Sequence, residues 1–597
     1  MHKTPPVQTI PRFKFFSTLT NFESCATLVS SHWSIPVHGS PMYIIHHKLK
    51  SLKPKLKRWN KTEVGNFHQN VDLTHQQLLD AQLALDQLDF SLERSQDELM
   101  CLTNYNQPLH ILNDFWKDKP KNAKFINGDR NTSYLHRSVK IREVQSFISL
   151  LKHGDEVLTD ASDIEAHVLH YFTNIFAVTP HHDVNDLPDM LIPSLVSDAD
   201  NALLTSLPSA ADIKNVVMDL SGDSAPGPDG YPGYFYQSFW HIIGSDVVRA
   251  TQFFFTSNSI MNNLNSNLLI LIPKVKGADR LDNFRPIALA NFQFKIITKI
   301  LADRVGLVAS KIVLVHQRGF IPGTHIQDCI MTASKVVNTL HKKTYGGNLA
   351  LKIDVRKAFD TLNWSFLLYV LKCFGFNQCF CNWISTILHS AKLSVSINGK
   401  AVGFFKCTRG VRQGDMLSPL LFCIAEEVIS RGLEALTLDG SLTQIHASRG
   451  LLMPNHCLYA DDILIFFCKG TLSNIRNIMD LFEEYDTYSG QFMNASKSKF
   501  YSGSLPLSRI VTITSITGFS HGSLPFSYLG ILLFKGKPKT THFRPIFDKI
   551  KAKISAWKGK LLSIMGRVQF VGTKGVSQNH LLSFDNNKIL KIINWIC

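Results

Sequence analysis

Apolar positions along the chain change their spacing several times, and each change predicts an element. From Val71 to Leu99 a Gln-, Asp- and Leu-rich stretch places Leu78, Leu79, Leu83, Leu85, Leu88 and Leu92 near helical spacing, which predicts one scaffold helix without chemistry of its own. Residues 348–355 alternate as a strand with Asp354 near its end. Asn363 then starts a helix that Gly375 can stop. Residues 456–468 are two apolar β runs flanking Asp461-Asp462, a hairpin with two acids at its tip. Ser418 as N-cap and Pro419 at the first helical position open an apolar helix through Leu420, Leu421, Ile424, Ala425 and Val428. The Pro- and Asp-rich run 181–200 looks like a connector, after which elements of both kinds alternate to about residue 535. No internal repeat or low-complexity tract interrupts the series.

Charge narrows the class of partner. With 597 residues, 63 Lys and Arg against 47 Asp and Glu leave a formal charge of +16, a balance that favours a polyanion such as nucleic acid. Two windows concentrate it. Residues 48–61 hold seven cations and no acid around Pro54, read either as a basic helix or linker at a boundary or as a solvated face. Residues 535–567 hold ten cations and the single acid Asp548, with Ile546, Phe547, Ile550, Ile554, Trp557 and Leu561 at helical spacing opposite the lysines. The eleven cysteines include no Cys-x-x-Cys pair, which argues against a disulfide framework or a zinc knuckle. No compact apolar leader precedes a small-residue cleavage site, and the longest uncharged stretch, 250–273, carries too many amides for a spanning helix. The expectation is a soluble, intracellular protein, in the nucleus or cytoplasm and not secreted.

Candidate chemistry sits at strand ends. Asp354 alone would be an ordinary N-cap or turn residue. Asp461-Asp462 are two adjacent acids flanked by buried strands, which repel unless cations neutralise them. Together the three fit a paired-magnesium site, since Mg²⁺ takes hard oxygen ligands and keeps substrate phosphates in its shell. Between them the segment Arg409-Gly410-Val411-Arg412-Gln413-Gly414-Asp415 is a loop whose glycines allow backbone to approach a base or ribose. A mere turn explains the glycines but not Gln413 and the two arginines.

At this point the motifs carry a resemblance. Asp354-x-x-Lys357-Ala358-Phe359-Asp360, Gln413-Gly414-Asp415-x-Leu417-Ser418-Pro419 and Tyr459-Ala460-Asp461-Asp462 resemble motifs A, B and C of reverse transcriptases of non-LTR (LINE-type) retrotransposons, with plant members most similar. Further blocks follow in order: Gly128-Asp129-Arg130-Asn131-Thr132 with His136, Ala225-Pro226-Gly227-Pro228-Asp229-Gly230, Leu271-Ile272-Pro273-Lys274, Asn283-Phe284-Arg285-Pro286-Ile287, and Gly319-Phe320-Ile321-Pro322-Gly323. Ser489-Gly490 with Asn494 and Lys497, and Leu524-Pro525-Phe526 with Tyr528-Leu529-Gly530, complete the series over about 115–570. One Ala-Asp-Asp would be weak; the ordered series makes chance a negligible alternative.

The resemblance implies an α+β right-hand polymerase, with fingers, a palm bearing an antiparallel sheet and a helical thumb, plus an N-terminal helical extension. Its expected divisions are 1–61, a remnant of an endonuclease tail and basic linker; 62–200, a helical extension with the first finger motif; 201–535, fingers and palm; and 536–597, a partial thumb. It implies RNA-directed DNA polymerisation with an RNA template, a DNA primer and dNTPs. Asp354, Asp461 and Asp462 would be catalytic and would hold two Mg²⁺ ions, with Mn²⁺ as a substitute. Lys274 and Arg285 would hold the triphosphate, Phe359 would gate the sugar, Gln413 and Gly414 would line the nucleotide and template, and Lys497 would give a proton to pyrophosphate. Lys549, Lys551, Lys553, Lys558 and Lys560 would grip nucleic acid from the thumb position. Three positions depart from the pattern: Met416 replaces a usual Pro, Thr324 stands where Pro-Gly-Arg is common, and Cys329 replaces an Asn. Most of the endonuclease, and any RNase H domain, are expected to be missing. Phe359 opposes an RNA polymerase reading, and a maturase domain after the thumb is not expected. A degenerate, catalytically inert fragment that only binds RNA is the alternative.

Overall fold

The strands are β1 Leu151–His153, β2 Glu156–Leu158, β3 Ser266–Pro273, β4 Phe284–Ala290, β5 Leu349–Asp354, β6 Lys392–Ile397, β7 Lys400–Lys406, β8 His456–Tyr459, β9 Asp462–Phe467, β10 Lys499–Ser502, β11 Ser520–His521, β12 Phe526–Tyr528 and β13 Ile531–Leu533. They come from a computed structural model that describes residues 12–64, 67–87, 91–118, 146–178, 184–342, 344–446, 453–503 and 505–537, with a few single residues beside these. The motif at 128–136 and the five lysines from 549 to 560 lie outside the described residues, as does nearly all of the 536–597 division.

Strand alternation builds the centre. In the five-stranded sheet β11-β10-β5-β9-β8, the odd residues Leu349, Leu351 and Ile353 of β5, with Ile463, Ile465 and Phe467 of β9, face one core. That core is closed by the helices Trp364–Cys373, Ser418–Leu438 and Leu472–Ser489. The alternate residues Ala350, Leu464 and Phe466 face a smaller core with the Ile326–Thr339 helix and Phe526, Tyr528 and Leu533 of the β12–β13 hairpin. Both faces are covered, which explains runs such as Ile463–Phe467 that are apolar throughout. The β5–β9 register sets Asp354 opposite Asp462, and β8–β9 sets Tyr459 opposite Asp462, so one sheet edge receives all three acids.

A second sheet, β4-β3-β6-β7, is antiparallel except where β3 pairs parallel with β6. Its β3–β4 hairpin carries Lys274 just beyond one strand and Arg285 within the other, opposite Ile272.

The N-terminal region packs on the rest of the described fold. The helix Pro41–Trp59 continues past Pro54 and buries Met42, Ile45, Leu49, Leu52, Leu56 and Trp59. At ~2 kcal/mol for each buried side chain, this face contributes on the order of 10 kcal/mol of gross transfer free energy. That exceeds the roughly 3 kcal/mol that a mid-helix proline costs. Phe15 is fully buried against Phe235, ring centroids 5.3 Å apart, and Lys48 pairs with buried Asp246 at 2.9 Å, where Trp33 Nε1 also donates. Residues 13–59 therefore pack on the segment that follows the 225–230 motif.

Two expectations change. The single helix over 71–99 is a pair, Phe67–Gln87 and Leu92–Asp118, packed on each other. A continuous period of leucines cannot by itself reveal a reversal. The connector at 181–200 contains the short helix Leu187–Leu191 and the start of Asp198–Thr205, opened by a capping box between Ser197 and Asp200.

Candidate active site

Three chain segments meet at the end of the central sheet. Asp354 ends β5, and its own backbone is tied from the far side. Its N–H donates to Ser498 Oγ at 3.0 Å, its carbonyl accepts from Asn494 N at 2.7 Å, and its carboxylate accepts from Asn494 Nδ2 at 3.0 Å. Asn494 thereby aims Asp354, a function that the motif around 489–497 did not by itself suggest. Asp461 lies in the β8–β9 turn and Asp462 opens β9. Asp461 is exposed at the surface, yet the surrounding protein desolvates its carboxyl and, with Asp354 nearby, raises it above the usual range, while Arg285 and Lys274 pull it down. Burial raises Asp462 too, followed by repulsion from Asp461, with Lys352 opposing.

The turn is strained and held. Ala460 has φ of +50°, a left-handed conformation that costs a residue with a side chain roughly 1–2 kcal/mol. Its N–H donates to Gln317 Oε1 at 3.1 Å, and the same oxygen accepts from Gly319 N at 2.8 Å. Gln317 Nε2 in turn donates to Glu426 Oε2 at 2.9 Å, inside the Ser418–Leu438 helix. Gln317 and Glu426 are each 1% exposed, and the other Glu426 oxygen has no hydrogen-bond partner among the described residues. Burial, then the charges of Asp461 and Glu427, raises the Glu426 carboxyl well above its ordinary value. Backbone bonds Leu458 N to His316 O and Arg318 N to Leu458 O splice residues 316–318 onto β8. Sequence reasoning missed Gln317 and Glu426. The signal was a polar residue within an apolar helix face and a Gln two places before Gly319.

The other candidate residues fall into two groups. Lys274 Nζ donates to Asp282 O at 3.0 Å, and burial, with Lys357, Lys497 and Arg285 close by, lowers its pKa. Lys357 pairs with Asp282 at 3.6 Å and lies over the Tyr171 ring. Lys274, Arg285, Lys357 and Lys497 thus form a cationic set facing the carboxylates, with Lys274, Arg285 and Lys497 exposed and Lys357 half-buried.

Phe359 stacks on Phe422, centroids 4.3 Å apart and planes 17° from parallel, which fixes its ring beside the Ser418–Leu438 helix. The loop 409–415 wraps this position. Gly410 has φ of +83°, and a Cβ there would lie 2.4 Å from Asp360 O; Gly414, at +106°, would bring one 2.9 Å from Ala288 O. Ala288 N donates to Gln413 O at 2.8 Å, which ties the loop to the second sheet.

Both arginines of this loop are consumed structurally. Arg409 Nε donates to Ile175 O at 2.7 Å. Buried Arg412 pairs with Asp415 at 3.1 Å, hydrogen-bonds Asn265 and lies over the Phe294 ring. Ser418 is not an N-cap: Leu417 holds that position, Asp415 Oδ1 accepts from Leu417 N at 3.3 Å, and Pro419 is the second helical residue. Asp360 is buried with one carboxyl oxygen unpartnered among the described residues. Burial pushes it up to about 7, with Lys357, Lys274 and Gln413 pulling down and Asp461 pushing up.

The three departures have local explanations. Met416 projects into solvent. Thr324 Oγ1 closes the Gly319–Gly323 turn on Arg318 O and Ile321 O, and Cys329 Sγ reaches Leu458 O at 3.7 Å.

Residues 272–533 match the family model described as reverse transcriptase (RNA-dependent DNA polymerase). The chain is 25% identical over 462 residues to the Transposon TX1 uncharacterized 149 kDa protein of Xenopus laevis, covering 75% of this chain and 34% of that protein. It is 26% identical over 278 residues to the retrovirus-related Pol polyprotein from type-2 retrotransposable element R2DM of Drosophila melanogaster, covering 47% of this chain and 25% of the relative. An uncharacterized mitochondrial protein of Arabidopsis thaliana is 42% identical over 66 residues, 11% of this chain and 54% of that protein. The chain thus spans about a third or less of the length of the TX1 and R2DM relatives. Among the described residues, no helix is long and apolar enough to cross a membrane.

Proposed function

On the premise that residues 272–533 are a reverse transcriptase domain of the non-LTR retrotransposon kind, we propose that this chain extends a DNA primer on an RNA template, joining dNTPs to the primer 3′-hydroxyl. The observation that carries this reading is the convergence of Asp354, Asp461 and Asp462 at one sheet end, opposite Lys274, Arg285 and Lys357. Carboxylates and cations on two walls of a cleft suit a reaction whose substrate is a metal-bound polyphosphate.

The donor set fits magnesium, with manganese as a substitute. All three candidate ligands are carboxylate oxygens, and two have carboxyls raised by burial and then by neighbouring carboxylates, Asp354 acting on Asp461 and both Asp461 and Asp354 on Asp462, the state a divalent cation relieves. Among the described residues no three His, Cys, Asp or Glu side chains close into a cation cage by themselves. When bound, two such ions would lower the pKa of the 3′-hydroxyl and offset charge on the leaving pyrophosphate. Asp354, oriented by Asn494, and Asp461, carried on the turn held by Gln317, would hold them, with Asp462 completing the site.

The remaining roles belong to protein groups. Lys274 and Arg285 bind the triphosphate, and Lys497 donates a proton to the departing pyrophosphate. Phe359, its ring fixed by Phe422, blocks a 2′-hydroxyl, and Gln413 with Gly414 lines the base and template. Lys549, Lys551, Lys553, Lys558 and Lys560 would grip the duplex backbone from a thumb. The divisions at 61, 200 and 535, and the right-hand arrangement of fingers, palm and thumb, belong to the same proposal. Primer extension by purified protein on a homopolymeric RNA template with Mg²⁺ tests it: DNA product that requires Asp354 and Asp461 supports the reading. A wild type silent with Mg²⁺ and Mn²⁺ would favour the inert fragment.

A further inference from the structure

Two cysteines from distant segments meet in the smaller core. Strand alternation turns Leu458 of β8 toward the large core and Cys457 toward the smaller one, where the Ile326–Thr339 helix packs on the strand with Cys329 in its first turns. Both cysteines are buried, and Cys329 is one of the three departures from the motif pattern, standing where an Asn is usual. Thr332, three residues on and so on the same helix face, hydrogen-bonds the Cys457 thiol, and the two thiols hydrogen-bond each other. Cys329 Sγ donates onward to Leu458 O at 3.7 Å. The Cys457 sulfur is thus seated between Cys329 and Thr332, and a disulfide needs the sulfurs to close from hydrogen-bond separation to about 2.05 Å. The pair is also electrically divided. Burial pushes the Cys25, Cys381, Cys407 and Cys423 thiols up. Cys329, by contrast, is lowered by the hydrogen bond from Cys457, with Arg318 assisting and burial and Asp328 opposing. The same bond, with burial, raises Cys457. One sulfur therefore favours the thiolate, the form that attacks, while the other keeps its proton. Near the pair, the buried hydroxyl of Tyr528 has no hydrogen-bond partner among the described residues.

We propose that Cys329 and Cys457 form an oxidation site for a hydroperoxide, closing to a disulfide that displaces the Ala460–Asp461 turn. The Cys329 thiolate attacks one peroxide oxygen, the O–O bond breaks, and the departing hydroxide takes up the proton that Cys329 had lost and becomes water, leaving a sulfenic acid on Cys329. The Cys457 sulfur then attacks the sulfenic sulfur; the S–O bond breaks, and the hydroxide leaves with the Cys457 proton as a second water. The two thiols lose two electrons, and the peroxide takes them. Cys457 lies three residues before Ala460, so drawing it toward the helix pulls on the bonds Leu458 N to His316 O and Ala460 N to Gln317 Oε1 that hold the turn. A misplacement of about 1 Å at a reacting centre lowers the rate on the order of 10²-fold. The effect on polymerisation rests on the polymerase reading above; the disulfide does not.

The test treats the full chain with hydrogen peroxide, blocks the remaining thiols with iodoacetamide in denaturant, and maps peptides without reduction. The expected result is a cross-linked peptide pair joining Cys329 to Cys457, absent after dithiothreitol, and a primer-extension kcat about a hundredfold lower until dithiothreitol restores it. Cys457→Ala should give no cross-link and leave on Cys329 a sulfenic acid that dimedone traps; Cys329→Ala should leave Cys457 a thiol and keep extension under peroxide. Recovery of both residues as alkylated thiols, with exposed Cys379 oxidised instead, overturns the site. A disulfide that leaves kcat unchanged overturns its coupling to the turn. Should the chain be silent as a polymerase before oxidation, amide hydrogen exchange over residues 456–462 replaces kcat: faster exchange at Ala460 N in the oxidised chain supports the coupling, and identical exchange overturns it. Peptide mapping of the wild type needs neither variant nor turnover, so a variant that does not fold leaves the test intact, and this proposal and the polymerase reading fail separately.

Discussion

Gln317→Leu removes one amide from under the Ala460–Asp461 turn while nearly conserving volume, and its consequences can be worked from three hydrogen bonds. Ala460 N and Gly319 N lose their shared acceptor, and Glu426 Oε2 loses its donor. Each buried polar group left unsatisfied costs about 1–3 kcal/mol, so three cost roughly 3–5 kcal/mol after local relaxation. A domain of ordinary stability survives that loss, with a lower urea midpoint. Function should suffer on a separate scale. Without the bond to its N–H, Ala460 is free to leave its left-handed conformation, and a displacement of Asp461 by about 1 Å lowers kcat on the order of 10²-fold.

The variant Gln317→Leu/Glu426→Leu separates the two effects. Removing the carboxyl abolishes the buried group stranded by the first change and should return about 1–3 kcal/mol of stability. It supplies nothing to Ala460 N, so kcat should stay low. Urea denaturation and primer-extension kcat on wild type, single and double variants make the comparison. If kcat recovers in step with stability, Gln317 is merely structural; if Gln317→Leu loses less than about 1 kcal/mol, the bonds do not hold the turn.

Asp354→Asn and Asp461→Asn should each lower primer extension about a thousandfold or more, the scale of removing a group that stabilises transition-state charge, while duplex Kd in metal-free buffer stays near wild type; normal extension would remove both from the site. Phe359→Val should raise ribonucleotide incorporation, mainly through lower KM for the ribonucleotide, with a stability loss of about 1–3 kcal/mol from the broken stack on Phe422; unchanged discrimination in a folded variant would make Phe359 a core aromatic only. Folded-state carboxyls of Asp360 and Asp486 stand at about 7, above the unfolded value near 4. The native state therefore holds protons that the unfolded chain has released, and stability should fall as pH rises from about 4 to 7. Urea midpoints at pH 5 and 7.5 check the sign, Asp360→Asn should flatten the slope, and a midpoint that climbs with pH would contradict the assignment. Replacing Lys549, Lys551, Lys553, Lys558 and Lys560 with Gln should weaken RNA binding on every sequence and flatten its salt dependence by up to roughly one log–log unit for each phosphate released from its lysine; identical isotherm slopes would refute the thumb clamp.

Local rules carried the strands and their acids far. Alternation over 348–355 and the paired runs at 456–468 correspond to β5, β8 and β9, because period-two burial is written residue by residue and needs no knowledge of the partner. Asn363 caps its helix through Ser365 N and Phe366 N for the same local reason. The reversal between residues 87 and 92 was not legible: leucines at helical spacing on both sides look like one helix until two faces meet. Nor was the fate of residues 48–61, whose seven cations read equally well as a basic helix or linker or as a solvated face. The apolar stripe from Met42 to Trp59 takes its meaning from the surface that it covers.

The site divides the same way. Asp354, Asp461 and Asp462 stand out in sequence because acids at the ends of apolar runs are costly without a purpose. Arg409 and Arg412 stood out equally and turned out to be hydrogen-bonded and paired within the fold, since a charge shows its chemistry in sequence but not its partner. Gln317 and Glu426, 109 residues apart, hold the Ala460 turn through bonds that exist only once the Ser418–Leu438 helix packs under β8. The Cys329–Cys457 contact likewise arises only where the Ile326–Thr339 helix packs on β8. Sequence specifies which groups carry charge and which faces are apolar; the directions in which buried hydrogen bonds run, and which thiols are brought together, are decided by packing between distant segments.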